Sequence, residues 1–221
     1  GTITVRANTT LTLTSAPGTN NQTLCINVPI VNITYAVGGS GTNGTVSGLP
    51  SGVTGNYVGG VVTISGTPTA SGVFNYTVST TGPCVNPTAT GTITVNANGS
   101  ITLSSAAGTD NQTICINTAI TNITYAVGGS GTNGTVSGLP AGVSGTYAGG
   151  VVTITGTPSV AGVFNYTVST TGPCINPTAT GTITVRANTT LTLTSAPGTN
   201  NQTLCINVPI VNITYAVGGS G

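Results

Sequence analysis

The sequence predicts an all-β protein built from tandem antiparallel sandwich domains. Three observations carry that expectation. The composition is dominated by Thr, Val and Ile with 34 glycines and 12 prolines, while Lys, Glu, Gln and Met, the good helix formers, are almost missing. Apolar and polar residues alternate along one segment after another. The chain also repeats itself with a period that fits one sandwich domain. With 37% apolar residues, a net charge of +1 and a mean hydropathy of +0.34, it has enough apolar surface to collapse rather than stay disordered.

GTITV stands at Gly1, Gly91 and Gly181, so the period is 91 − 1 = 90 residues. Residues 1–90 and 91–180 differ at 20 positions, whereas residues 181–221 repeat 1–41 without a change. The order is therefore A-B-A. Ninety residues exceed a solenoid repeat, and the expectation is beads on a string. Residues 1–6 read as the last strand of a preceding domain, 7–96 as a type A domain, 97–186 as type B and 187–221 as the start of a second type A copy. Linkers are expected near Arg6–Thr9, Asn96–Gly99 and Arg186–Thr189. The whole reads as a window on a longer array, with no leader and no membrane helix visible in it.

Within a copy the elements follow in order. LTLTS turns Leu11 and Leu13 to one face and Thr12 and Thr14 to the other. VNITYAV turns Val31, Ile33, Tyr35 and Val37 inward against Asn32, Thr34 and Ala36. A hairpin is expected around Tyr57-Val58-Gly59-Gly60. VFNYTVS places Phe74, Tyr76 and Val78 inward, and TGTITV does the same with Ile93 and Val95. GGSGTNG, GLPSG, SGTPTASG and TGPC read as turns. Roughly seven strands per copy result.

Charge excludes much chemistry. The only charged side chains are Arg6, Arg186 and Asp110, and there is no histidine. Acid–base pairs, Ser-His-Asp triads and His-assisted metal sites lack their residues, so no enzyme and no cofactor is expected. Calcium sites recruit several carboxylates, and Asp110 stands alone. Two distant arginines cannot neutralise a nucleic-acid backbone. An isopeptide cross-link would need a lysine.

The strings GLPSGVTGNYVGGVVTISGTPTASGVFNYTV (Gly48–Val78) and GLPAGVSGTYAGGVVTITGTPSVAGVFNYTV (Gly138–Val168) resemble bacterial Ig-like and PKD-like domains. NQTLCINVPIVNITY (Asn21–Tyr35) is similar to the version found in tandem in giant Bacteroidota surface proteins, SprB-type gliding adhesins among them. The resemblance implies a tandem Ig-like (PKD-like) β-sandwich fold, type IX secretion, and a place on the outer surface of a Gram-negative cell.

Cysteines fall at copy positions 25 and 84: Cys25 and Cys84, Cys115 and Cys174, then Cys205. Their spacing suits disulfides better than a four-ligand metal site. Two pairings compete: Cys25–Cys84, which closes each copy internally, and Cys84–Cys115, which ties one copy to the next. The strand Ala89–Val95 carries the chain away from Cys84, which favours Cys25–Cys84 and Cys115–Cys174, with Cys205 pairing beyond the sequence.

Other residues have plain readings. The N-x-S/T sequons at Asn8, Asn21, Asn32, Asn43, Asn75 and Asn98 arise readily in an Asn- and Thr-rich chain. Asp110 precedes Asn111, so an Asp-Ser/Thr glycosylation motif is missing; other O-linked sugars on the threonine rows stay open. Thr12/Thr14 and Thr92/Thr94 recur as ice-binding rows do, yet threonine also suits an ordinary outward pleat. Gly38-Gly39-Ser40-Gly41 is a turn, since neither helix nor lysine follows. Tyr35 and Tyr76 belong to the core frame, leaving Tyr57 and its copy Tyr147 to test for ligand contact.

The expected role is mechanical: a stalk or filament segment, each bead adding on the order of 40 Å. Its partners would be neighbouring repeats and identical chains in a bundle, with no nucleic acid and no membrane insertion. A glycan-binding module and a surface-layer component are the rival readings.

Overall fold

The computed structural model describes residues 1–219. It separates into two compact units. The first comprises Gly1–Gly99, Gly129–Gly131 and Gly172–Asn176; the second comprises Ser100–Gly128, Thr132–Thr171 and Pro177–Gly221.

Unit 1 contains β1 (Thr10–Leu13), β2 (Asn21–Cys25), β3 (Ile33–Gly38), β4 (Asn43–Ser47), β5 (Val53–Val58), β6 (Val61–Gly66), β7 (Gly72–Thr81) and β8 (Thr88–Asn96). One sheet has the order β1-β3-β6-β5 and the other β2-β8-β7-β4. All neighbours are antiparallel except β2 and β8, which run parallel from Asn21 beside Thr92 to Cys25 beside Asn96. Unit 2 repeats the plan with β9 (Ser100–Leu103), β10 (Asn111–Cys115), β11 (Ile123–Gly128), β12 (Asn133–Ser137), β13 (Val143–Ala148), β14 (Val151–Gly156), β15 (Gly162–Thr171) and β16 (Thr178–Arg186). It also holds the pair β17 (Thr190–Leu193) and β18 (Tyr215–Gly218), which copies the β1–β3 register.

The alternation read in the sequence places the core. Ile33, Tyr35 and Val37 of β3 and Val62 and Ile64 of β6 meet Tyr76 and Val78 of β7 and Ile93 and Val95 of β8. Each fully buried Val or Ile stabilises by about 1.5–3 kcal/mol. Unit 2 gathers the same set from Ile123 to Val185. The hairpin turn falls on Gly59-Gly60, both at positive φ (58° and 81°), the backbone a two-residue type I′ loop needs.

Three expectations change. Each sandwich, β1–β8 and β9–β16, has eight strands rather than seven. The stretch read as the turn GGSGTNG ends in a strand, β4, whose Gly44 lies so near Val62 that a side chain would collide with it. Val31 is 63% exposed because β3 starts only at Ile33. Instead of a strand partner, its backbone takes the Gln22 side-chain amide: Nε2 donates to the Val31 carbonyl (2.7 Å) and the Val31 N–H donates to Oε1 (2.9 Å). Gln112 holds Thr121 identically. In Gly1–Arg6, Ile3 and Val5 are exposed, whereas their copies Ile93 and Val95 are buried. Those later copies of GTITV pair with β7 or β15.

The two inward tyrosines form a polar link inside the apolar core. The Tyr76 hydroxyl donates to the Asn20 carbonyl (3.2 Å) and lies 3.3 Å from that of Tyr35. Tyr166, Asp110 and Tyr125 repeat this at 3.2 and 3.0 Å. Gly91 leaves the space, since any side chain there would strike the Tyr76 hydroxyl and the Asn20 carbonyl. Burial, and then the neighbouring tyrosine, push the Tyr76 and Tyr166 hydroxyls far above their usual range. In the unfolded chain these groups ionise near pH 10. Their contribution is therefore complete below about pH 10 and is lost as pH rises beyond it, because the unfolded state then releases protons that the folded state retains. The denaturant midpoint should fall above about pH 10, and the double variant Tyr76→Phe/Tyr166→Phe should show a shallower fall.

Candidate functional site

The residues that chemistry singles out in this chain are its cysteines. Cys25 ends β2, level with Asn96 at the end of β8. Its position is fixed on the far side too: the Ile26 N–H donates to the Asn96 carbonyl (2.9 Å), and Asn27, at φ 63°, turns the chain so that its N–H reaches the Pro68 carbonyl (2.9 Å). Asparagine is among the residues that tolerate this left-handed geometry.

The loop Gly172–Asn176 lies within unit 1, although it belongs by sequence to the second repeat. Asn176 Nδ2 donates to the Gly172 carbonyl (3.1 Å), closing the loop, and the Gly99 N–H donates to the Ile175 carbonyl (2.8 Å), anchoring it. Cys174 is thereby set 3.9 Å from the Asn96 carbonyl oxygen, and it is disulfide-bonded to Cys25 with the Cα atoms 5.6 Å apart, at a sequence separation of 149. Cys84, Cys115 and Cys205 are free.

This overturns the pairings Cys25–Cys84 and Cys115–Cys174. Cys84 precedes β8 by four residues, and Cys25 stands at the strand's other end. From Thr88 to Asn96 the strand covers about 26 Å, far more than the Cα separation of any disulfide. The competing Cys84–Cys115 pairing does not form either. The sequence shows that β8 carries the chain away from Cys84, but not that β2 lies parallel to β8 and delivers Cys25 to its far end.

Around the equivalent loop of the first copy a hydroxyl network appears that the sequence did not announce. Thr9 Oγ1 donates to Asn86 Oδ1 (3.2 Å) and lies 3.5 Å from Ser40 Oγ, while its N–H donates to the Val85 carbonyl. In the second copy Gly99 replaces Thr9. Ser130 Oγ, the counterpart of Ser40, is left shielded from water without a partner, as is Asn98 Oδ1. The signal was one of the 20 differences between the copies.

Tyr57 and Tyr147 sit on β5 and β13 rather than in the turn, opposite Val62 and Val152, and are half-buried against the two cores. Tyr35 and Tyr76 are buried, so the three tyrosines make no common platform. The outward Thr92 donates to Asn75 Oδ1 (2.9 Å). Beside it Asn21, Thr77 and Thr90 border an uncharged surface recess of about 370 Å³.

Restoring the missing hydroxyl should stabilise the protein. Gly99→Thr gains one or two hydrogen bonds and removes glycine's freedom from the unfolded chain, together about 1 kcal/mol, read as a rise in melting temperature.

No family model matches the chain, and no curated protein matches it. Among solved structures it is similar to the I-band fragment I67-I69 from titin, at 10% identity over 85% of this chain and 68% of that one, with a TM-score of 0.59. The E-to-A mutated variant of the same three-Ig titin structure gives the same values. At this identity the likeness is one of fold: the chain is made of tandem Ig-like β-sandwiches.

Proposed function

We propose that the chain is a structural segment of a stalk or filament in a very large extracellular bacterial surface protein, giving reach and mechanical durability to an adhesin. The observation that carries this reading is the Cys25–Cys174 bond, which closes near-repeated sandwich into one covalent loop across a sequence separation of 149. A disulfide of that span also implies an oxidising compartment outside the cytosol. In this reading residues 7–96 and 97–186 are the successive domains and 187–221 opens the next. The resemblance noted in the sequence adds type IX secretion and surface attachment or gliding as the setting.

Near absence of charge supports the same role. Cores, ladders and neutral hydrogen bonds respond little to salt, and neighbouring copies repel weakly, so lateral bundling of identical chains is favoured.

Pulling a single molecule by its ends tests the stalk reading. With the bond intact, residues 25–174 are shielded from load. Reduction should lengthen the fully extended chain by on the order of 500 Å, at roughly 3.5 Å per residue. An oxidised chain that extends as far as the reduced one would remove the support.

A second reading, a glycan-binding module, draws on the uncharged recess at Asn75 and Thr92 and on the half-exposed rings of Tyr57 and Tyr147. Glycan-array binding lost in Tyr57→Ala/Tyr147→Ala would favour it. Absence of binding by the unmodified chain would leave the mechanical role.

A further inference from the structure

Cys84 occupies the same surroundings as the bonded Cys174, one repeat earlier. Its Sγ lies 3.9 Å from the Arg6 carbonyl oxygen, as that of Cys174 lies 3.9 Å from the carbonyl of Asn96, the residue one period after Arg6. The Thr9 N–H holds Val85 as the Gly99 N–H holds Ile175. Asn86 Nδ2 closes its loop onto Gly82 at 3.1 Å, and Asn176 does so onto Gly172 at the same distance.

The other half of the site is repeated as well. Cys115 ends β10 beside Arg186, as Cys25 ends β2 beside Asn96. Ile116 donates to the Arg186 carbonyl (2.8 Å), and Asn117 turns at φ 62° onto the Pro158 carbonyl (2.9 Å). Cys115 is exposed and Cys84 half-exposed, and both are thiols. Each is thus half of a site that is complete at Cys25–Cys174.

We propose that the disulfides form a relay, in which the position-25 cysteine of every copy bonds the position-84 cysteine of the next. Cys84 takes the position-25 cysteine of a copy before it, and Cys115 and Cys205 take position-84 cysteines of copies after them. Each bond forms when two thiols lose two electrons and two protons. A protein-borne or small-molecule disulfide accepts both and is reduced to two thiols. Successive closures overlap, because Cys115 lies inside the loop that Cys25 and Cys174 close. The inference goes beyond the stalk reading and holds for a binding array equally well.

The test extends the chain. Joining residues 42–96 again after Gly221 completes the third copy and appends a single cysteine, the missing position-84 one. Both proteins are produced under oxidising conditions, labelled with a maleimide and mapped without reduction, the Cys25–Cys174 peptide pair reporting that the fold has formed. The expected result is loss of Cys115 labelling in the extended chain and a peptide pair joining Cys115 to the appended cysteine, while Cys84 stays labelled in both. In Cys115→Ser of the extended chain, labelling of the appended cysteine should return. Continued labelling of Cys115, its linkage to any other cysteine, or an appended cysteine still protected in Cys115→Ser would overturn the relay. Because this readout measures bonding and not extension, it can fail while the force experiment succeeds.

Discussion

Strand β8 is bonded on both sides, antiparallel to β7 and parallel to β2, and most features of unit 1 follow from that double pairing. A strand with neighbours on both edges exposes no free ladder, and its inward side chains, Ile93 and Val95, are fully covered. Its Gly91 admits the Tyr76 hydroxyl and the Asn20 carbonyl. The parallel partner also decides where the cysteine of β2 emerges. An antiparallel β2 in that slot would return Cys25 toward the start of β8, near Cys84; the parallel one sends it to the opposite end.

A chain with three charged side chains must satisfy its buried polar groups by other means, and it does so with neutral, short-range bonds. Gln22 stands in for a missing strand partner, the tyrosine pair carries a carbonyl into the core, and Thr9 ties two loops. Each of these bonds joins groups without a formal charge. Among the described residues, the buried side-chain atoms left without a partner, Ser130 Oγ and Asn98 Oδ1, fall where one copy has exchanged threonine for glycine. Even near-identical repeats thus differ in how completely a local network closes.

Much of the fold was legible because period-two alternation reports directly on burial: Ile33, Tyr35, Val37, Tyr76, Val78, Ile93 and Val95 all lie inside as read. The even 90-residue spacing made the repetition plain. What escaped has a common physical cause. β2 and β4 are edge strands, only half-buried, and their polar residues give little alternation to read. Val31 continues an apolar frame past the true start of its strand, which a side-chain amide, not a backbone ladder, determines. The disulfide was least legible, since its partner depends on strand direction, and apolar patterning carries no information about whether neighbours run parallel or antiparallel.

Closing so long a loop has a consequence for damage. Hydrolysis of any single peptide bond between Cys25 and Cys174 creates two new termini, yet the fragments stay joined through sulfur. A severed backbone in that stretch would not part the molecule, and a fragment still folded could keep its ladders in register. Wear then accumulates without loss of continuity.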